Sequence, residues 1–321
     1  MTKVPAQAAD LPGVTVDDSL RMTTSPLGEL RERLVAELRE RLLEQAVSLP
    51  LGNQPALARV AELCIAPDAS AQAVADEAAG DDSFSATLLR VANSAALGSA
   101  TRIEDLPTAV ARLGFRFVEC LALSAPGLRL LAAPSDGLEA ARRELHRHAV
   151  RVGVAARAMA PPGIEPDRAL AAGLVHNLGL SVLSLHARSG FRKLLEASAR
   201  GDQLAEVEAR LFGFTHAELG AMLGDSWGYP DSLVAAIREH DAPLPANPLS
   251  ALIEVADLLV RMAGFGIESP IEPSPAVIAL AGIELDRARI RVELLLDVGD
   301  ARGLEPPGPD AALTEVLDAL V

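Results

Sequence analysis

Six polar residues occur along the chain in an order that could build a metal-dependent phosphohydrolase site. They are His148, His176, Asn177, His216, His240 and Asp257. A hydrolase with two metal ions needs imidazole ligands and at least one carboxylate that neutralises and bridges the cations. Asn177 directly follows His176, where a carboxylate could have reached the same ion, and an amide carries no charge. The pattern therefore indicates a hydrolase scaffold that is used for something other than hydrolysis.

His148 is positioned by a helix that the apolar pattern predicts for residues 138–160. At 100° per residue, Leu145, Val152 and Ala155 fall on one arc of this helix, and His148 falls within the same arc. Because that arc faces the core, the His148 imidazole should point inward.

His176 and Asn177 lie in the longest stretch without Asp, Glu, Lys or Arg, residues 169–187. The stretch is nearly long enough to cross a bilayer, but its histidines, asparagine, glycines and serines favour a buried helix or helix pair. Asp167 could cap the helix that leads into it. A buried histidine beside an asparagine is more often a hydrogen-bonded structural pair than a set of metal ligands.

The remaining site residues are also expected on or next to helices. Thr215 and Glu218 form the pattern of a capping box, which places His216 at the start of a helix, and His240 ends the helix that follows. Asp257 lies at the edge of an apolar stripe. An acid in that position needs a partner, which could be a metal ion, a histidine or an arginine.

The helix predicted for residues 138–160 is also the most basic stretch of the chain, and Arg143, Arg147 and Arg151 could form a patch for an anion or an acidic partner. The alternative is a solvated face whose arginines pair with acidic surface residues. No aromatic residues are interleaved with these arginines in the sequence, so the indication of nucleic-acid binding is weak.

The overall composition indicates the fold class and limits the kinds of partner that the protein could bind. Half of the 321 residues are hydrophobic but only 3% are aromatic, and the abundance of Ala and Leu predicts an all-α fold. A net charge of −15 argues against binding to DNA or membranes, which are polyanions. Cys64 and Cys120 are too few for a disulfide framework, and residues 1–10 lack the pattern of a signal peptide. We therefore expect a cytoplasmic protein.

Turn residues and changes in periodicity divide the chain into five segments. Residues 1–24 are expected to form a flexible tail, and residues 25–47 an amphipathic helix that packs on the lobe that follows or meets a partner helix. A lobe of short helices spans residues 48–133 and a second helical lobe spans residues 138–264. A C-terminal helical extension, residues 265–321, completes the chain.

Motifs from both lobes occur in a distinctive order. They are Leu49-Pro50, Ala92-Asn93-Ser94-Ala95, Gly98 and Leu113-Gly114 in the first lobe, and Gly173 to Gly179, His216 to Gly220, Trp227 to Pro230 and Ile237 to His240 in the second. Over about residues 47–264 this order resembles the HDOD domain, the HD-related output domain of bacteria. The resemblance implies a two-lobed helical fold whose second lobe is related to HD and HD-GYP phosphohydrolases, the latter of which cleave cyclic di-GMP.

The resemblance also assigns the six polar residues to the positions of an HD-type site: His148 to the first histidine, His176 and Asn177 to the HD pair, His216 and His240 to later histidines, and Asp257 to the terminal aspartate. Asn177 replaces the aspartate of the pair, and Leu180 stands where HD-GYP hydrolases carry a lysine. Both departures remove charge from the place where a metal-bound phosphate would be cleaved.

These observations predict a non-catalytic signalling regulator that acts through contacts with a signalling protein and carries no cofactor. The resemblance links such proteins to cyclic-dinucleotide and two-component pathways. Two alternatives stay open: a metal-dependent phosphohydrolase, and a sensor that binds a nucleotide without cleaving it. A weakly held divalent ion would use His148, His176 and Asp257. A homodimer is a further alternative for the partner.

Overall fold

The computed structural model describes residues 26–48, 54–94, 102–131, 136–269 and 271–296, and within these ranges it contains helices and no strands. The helices are α1 (Pro26–Val47), α2 (Gln54–Ile65), α3 (Ala71–Ala78), α4 (Asp82–Ala92), α5 (Leu106–Leu113), α6 (Phe115–Leu131), α7 (Glu139–Met159), α8 (Pro166–Val175), α9 (Leu178–His186), α10 (Arg188–Ala199), α11 (Leu204–Leu211), α12 (His216–Ser226), α13 (Asp231–Glu239), α14 (Pro248–Met262), α15 (Pro275–Ala281) and α16 (Leu285–Leu296). The all-α prediction is confirmed. The predicted tail, residues 1–24, and the last part of the predicted C-terminal extension, residues 297–321, lie outside the described residues.

The first lobe consists of α2 to α6, with α2 packed along α6. Helices α3, α4 and α5 begin at side-chain caps supplied by Ser70, Asp81 and Asp105. An oxygen acceptor at such a position satisfies a backbone N–H that has no partner inside the helix. These short helices therefore start where the sequence provides a cap.

Helix α6 is longer than the sequence predicts. The turn residues predict an end at Ser124, but α6 continues through Pro126 to Leu131. A proline inside a helix removes one backbone hydrogen bond. Here Ser124, Pro126 and Leu131 are all buried, and the helix packs on α2, α8 and α9. The gain from this packing outweighs the local penalty of the proline.

The second lobe contains two helix crossings at which backbones touch. Where α7 crosses α8, a Cβ on Gly173 would lie 2.5 Å from the Gly153 Cα. Where α9 crosses α12, a Cβ on Gly220 would lie 2.8 Å from the Gly179 backbone nitrogen. Only glycine permits such an approach. The crossings therefore fix the helices that carry or adjoin the site histidines.

Helix α1 packs on the second lobe and not, as predicted, on the lobe that follows it in the sequence. It contacts α9 and α12, and the Val35 side chain occupies the space beside Gly213. Leu42 is buried, whereas Leu30 and Leu34 are 49% and 55% exposed. The C-terminal half of α1 is thus covered by the second lobe, and Leu30 and Leu34 face solvent.

The apolar core is continuous between the two lobes, because buried residues of α2, α6, α8 and α14 belong to one cluster. Helix α15 packs on α14 and α16 packs on α7, so the described part of the predicted extension belongs to the second lobe. The segment Pro166–His186, which comprises α8 and α9, is apolar enough for a membrane span, but 89% of its apolar window is buried inside the protein.

Candidate functional site

Four of the predicted site histidines form a row of neighbouring rings inside the second lobe. Ring centroids are 5.3 Å apart for His148 and His176, 5.0 Å for His176 and His240, and 5.2 Å for His240 and His216. These histidines and Asp257 are each at most 2% exposed. The structure thus brings together residues from α7, α12, α14 and the ends of α8 and α13. We call this row with its acidic neighbours the polar centre.

The first group of possible ligands in the polar centre consists of His148, His176 and Asp257. The His148 Nε2 atom lies 2.8 Å from Asp257 Oδ1, and His176 Nε2 lies 3.9 Å from the same oxygen. His176 Nδ1 donates to the Gly173 carbonyl at 2.7 Å. Burial, with the nearby His240, holds the pKa of His176 well below its usual value. The His176 ring is therefore neutral, with its Nε2 lone pair directed away from Gly173.

The second group consists of His216, His240 and Asp241. The His216 Nε2 atom lies 3.1 Å from His240 Nε2 and 3.2 Å from Asp241 Oδ2. On its other side, His216 Nδ1 donates to Glu208 at 2.9 Å. Burial opposes a charge on His216, but Glu208 and Asp241 together raise its pKa well above the usual value. The His216 ring is therefore an imidazolium.

His240 differs from its neighbour although both rings are buried. Its Nδ1 donates to the Ile237 carbonyl at 2.8 Å. Burial lowers the pKa of His240 despite the nearby Asp241, so its Nε2 is left with a lone pair. That lone pair accepts the Nε2–H of His216, which explains why two ring nitrogens face each other at hydrogen-bond distance.

Asn177 and Leu180 lie beside the first group. Asn177 is 5% exposed and precedes α9, and its side-chain oxygen has no hydrogen-bond partner among the described residues. The expected hydrogen-bonded pair of His176 and Asn177 is therefore not formed, because His176 bonds the Gly173 carbonyl instead. Leu180 is fully buried.

Arg261 is the main residue that sequence reasoning missed. Its guanidinium contacts both oxygens of Asp257, with Nε 3.0 Å from Oδ1 and Nη2 against Oδ2. The same group lies 3.3 Å from Asp241 and 3.0 Å from Glu268. Although burial opposes ionisation, Arg261 and the hydrogen bond from His148 hold the pKa of Asp257 below its usual range. The i, i+4 spacing from Asp257 was the available signal.

A loop closes over the His148 side of the polar centre. The Gly266 N–H donates to Glu144 on α7 at 2.9 Å, and Ser198 Oγ donates to the Ile267 carbonyl. Gly266 has φ +115°, and a Cβ there would lie 2.9 Å from His148 Nδ1. We call this segment, Gly264 to Glu268, the roof loop. The boundary predicted between residues 264 and 265 falls within it.

The basic patch predicted on α7 is partly covered by the roof loop. The Arg151 and Arg147 guanidinium groups lie 4.4 Å and 5.8 Å from the centre of the Phe265 ring. Arg143 is exposed. Phe265 supplies an aromatic neighbour that is distant in sequence and therefore was not foreseen. Arg151 and Arg147 thus hold the roof loop by cation–π contacts.

Two predicted helix starts have different outcomes. The capping box is confirmed, because Thr215 N–H donates to Glu218 at 2.9 Å and Glu218 N–H donates to Thr215 Oγ1 at 3.2 Å. The prediction that Asp167 caps α8 is wrong. Glu165 is the cap, because Pro166 takes the first helical position; Asp167 accepts from Arg157 at 2.9 Å.

Comparison with known proteins identifies the family to which the chain is similar. The family model for the HDOD domain matches residues 53–243. An uncharacterized protein of Treponema pallidum (strain Nichols) is 31% identical over 198 residues, which are 59% of this chain and 37% of that protein. The chain therefore spans little more than a third of the length of this relative.

Solved structures show the same fold at low identity. An HDOD domain protein of unknown function from Geobacter sulfurreducens has a TM-score of 0.64 at 21% identity, covering 89% of this chain and 99% of that one. A protein provisionally named for signal transduction, from Marinobacter aquaeolei VT8, has a TM-score of 0.68 at 23% identity. The match covers 90% of this chain and 66% of that one. A protein provisionally named a phosphohydrolase, from Shewanella amazonensis SB2B, has a TM-score of 0.62 at 21% identity. The match covers 86% of this chain and 97% of that one. With the family model matching more than half of its length, the chain belongs to the HDOD family.

Proposed function

We propose that this chain is a non-catalytic regulator in bacterial signalling that acts in the cytoplasm through contacts with a partner protein. The observation that carries the proposal is the closure of the polar centre. Its four histidines and Asp257 are at most 2% exposed, and the roof loop lies directly over His148. A phosphodiester substrate must come within hydrogen-bond distance of the groups that cleave it. Here packed protein occupies the space beside the histidines and Asp257 that such a substrate would need.

The chemistry of the residues supports the same proposal. A carboxylate at position 177 would neutralise and bridge two cations, whereas the amide of Asn177 is a weak neutral donor. Leu180 offers no charge to a phosphate. The relative provisionally named for signal transduction agrees with a regulatory role.

Helix α1 offers a surface for the proposed protein contact. Leu30 and Leu34 lie one turn apart and are half exposed, and an amphipathic helix can place such a pair in an apolar groove of another protein. The partner is a signalling protein or a second copy of this chain. The net charge of −15 argues against DNA or a membrane as the contact.

A metal-dependent phosphohydrolase is the second candidate. It is favoured by the two groups of His and Asp ligand atoms, each gathered within 4.8 Å, and by the neighbour provisionally named a phosphohydrolase. A nucleotide sensor would use the same centre without turnover. Both alternatives require the roof loop to open, because the histidines are otherwise covered.

The test is a hydrolysis assay of the full chain with Mn²⁺ or Fe²⁺, using cyclic di-GMP and bis-p-nitrophenyl phosphate as substrates. We expect the wild type and an Arg143→Ala control, which alters an exposed residue, to show no turnover above that of His148→Ala. Turnover that His148→Ala abolishes would overturn the proposal in favour of the enzyme. Saturable cyclic di-GMP binding without turnover would favour the sensor.

The contact surface is tested separately by sedimentation of the full chain. If α1 mediates self-association, Leu30→Asp with Leu34→Asp should reduce it, whereas Arg31→Asp on the same helix should change it little. If the wild type is monomeric, the same variants are compared in affinity purification from the native cells. Equal recovery of partners by all variants would exclude α1 as the contact surface.

A further inference from the structure

We infer that the guanidinium of Arg261 takes the place of a metal ion in the polar centre, and that this residue excludes divalent cations from it. The inference deepens the proposed non-catalytic function and rests on it, since a centre filled by a side-chain cation has no metal to activate water.

Arg261 contacts the acid of each group of possible metal ligands. Each group of possible metal ligands contains one carboxylate, Asp257 in the first and Asp241 in the second. Arg261 contacts both of them. One guanidinium thus binds the anionic member of each group, which is the member that a divalent ion needs most for its charge to be neutralised.

Both carboxylate oxygens of Asp257 already face donors. Oδ1 accepts from Arg261 Nε at 3.0 Å and from His148 Nε2 at 2.8 Å, and Oδ2 faces Arg261 Nη2. A divalent ion on Asp257 would therefore have to displace these donors or lie beside the guanidinium. Two cations at that separation repel each other strongly in a buried site.

Arg261 is held in place by acids from three parts of the chain. Asp257 is on α14, Asp241 follows α13, and Glu268 ends the roof loop. The Arg261 side chain is only 6% exposed. Rotation of the guanidinium out of the centre would break all of these ion pairs at once and leave buried acids without a counter-ion.

The remaining ligands would suit a metal if the guanidinium were absent. His176 Nε2 has no hydrogen-bond partner among the described residues, and it lies near Asp257 and His148. With Arg261 in place, the donor set does not fit a divalent ion because its carboxylates are already engaged. Removing the guanidinium should therefore turn the first group into a metal site.

The experiment measures Mn²⁺ binding to the full chain by electron paramagnetic resonance, together with the melting temperature with and without Mn²⁺. Arg261→Gln should bind Mn²⁺ at least about ten-fold more tightly than the wild type, and Arg261→Gln with Asn177→Asp more tightly still. Without metal, Arg261→Gln should melt roughly 6–10 °C lower. Mn²⁺ should restore much of that loss, because a ligand that binds only the folded state stabilises it.

Arg129→Gln is the matched control. Arg129 pairs with the buried Asp81 through two contacts of 2.8 Å in the first lobe. Its loss should lower the melting temperature without any recovery in Mn²⁺, because no histidines are gathered there. Recovery in both variants would show a general effect of Mn²⁺ and would overturn the inference.

A second variant covers the case in which Arg261→Gln does not fold. Arg261→Gln with Asp241→Asn removes one positive and one negative charge and leaves His148, His176 and Asp257 intact. This variant should also bind Mn²⁺, and adding His148→Ala should abolish the binding. No gain of Mn²⁺ affinity in either Arg261 variant would overturn the inference.

The outcomes for the wild type separate the inference from the proposed function. Tight, stoichiometric Mn²⁺ binding by the wild type that His148→Ala removes, without hydrolysis, would overturn the role of Arg261 and leave the regulatory function standing. Hydrolysis by the wild type would overturn the regulatory function. A gain of Mn²⁺ affinity in Arg261→Gln with no hydrolysis in either protein would support both.

Discussion

The two groups of the polar centre contain the same residue types, two histidines and one aspartate, but they have different charge states. In the first group, His176 is neutral and Asp257 is held by Arg261. In the second group, His216 is an imidazolium and donates toward both His240 and Asp241. Asp257 is fully buried, whereas the Asp241 side chain is 25% exposed.

The difference comes from residues outside the two groups. Glu208 on α11 accepts from the His216 backbone N–H at 2.9 Å and from its ring. His176 has only the Gly173 carbonyl at the corresponding ring nitrogen. A carboxylate stabilises a positive ring, and a carbonyl does so far less. Glu208 at Nδ1, together with Asp241 at Nε2, thus gives His216 a charge that His176 lacks.

The largest expected effect is the loss of Glu208. Glu208→Ala leaves the His216 charge and its backbone N–H without their acceptor, so we expect the free energy of unfolding to fall by about 3–5 kcal/mol. Glu206→Ala on the same helix is the control, because its ion pair with Arg210 is 3.8 Å long and both side chains are largely exposed. Urea unfolding measures both. Equal losses of unfolding free energy in the two variants would show that Glu208 does not stabilise the second group.

The next largest effect is a difference between the two aspartates in their contribution to the free energy of unfolding. Asp257→Asn leaves Arg261 beside an amide in a fully buried site, and we expect a loss of about 2–4 kcal/mol. Asp241→Asn should cost about 1 kcal/mol, because Asp241 is partly exposed and solvent screens its ion pair. Urea unfolding of the two variants at one pH tests the ranking. A larger loss of stability for Asp241→Asn would contradict the expectation that the buried Asp257 contributes more than Asp241.

The Gly266 end of the roof loop should matter to the first group, because it lies against His148. Gly266→Ala introduces a Cβ at 2.9 Å from His148 Nδ1 and a strained positive φ, and we expect a loss of about 1–3 kcal/mol. Gly264 also has positive φ, +89°, but a Cβ there meets nothing within 4 Å. Gly264→Ala therefore carries the backbone strain without the contact. The excess loss in Gly266→Ala, read from thermal unfolding, reports the contact with His148.

The smallest effect is a pH dependence that belongs to the second group. The folded-state pKa of His216 is raised above the unfolded value, so its contribution to stability is complete below about pH 6.5 and is lost as the pH rises through the raised pKa. Between pH 6.5 and 8.5 the wild type should lose about 1 kcal/mol more than His216→Gln. His186→Gln should follow the wild type, because burial and Arg188 lower the pKa of His186. Identical profiles for all three proteins would exclude a charged His216.

Much of the fold was predictable because it is encoded locally. Ala and Leu content predicted helices, and the Thr215 capping box lies within four consecutive residues. The inward direction of His148 followed from helical periodicity, and it is 2% exposed. The need of Asp257 for a partner followed from its place beside an apolar stripe, and its partners are His148 and Arg261.

The rest depends on contacts between distant segments, which no local pattern contains. Asp241, Glu268 and Glu208 meet the centre from three different parts of the chain, so their roles were not visible in the sequence. The placement of α1 on α9 and α12 depends on space beside Gly213. Phe265 reaches the arginines of α7 only because the roof loop folds back. Helix α6 passes Pro126 because burial there outweighs a local rule.

The glycine crossings have a mechanical consequence. Side chains between two helices can change rotamer and absorb a small shift, but backbones in direct contact cannot. A displacement of α12 must therefore be followed by α9 at Gly179 and Gly220, and α7 must follow α8 at Gly153 and Gly173. Helix α1 rests on both α9 and α12, so it packs against two helices that can move only together.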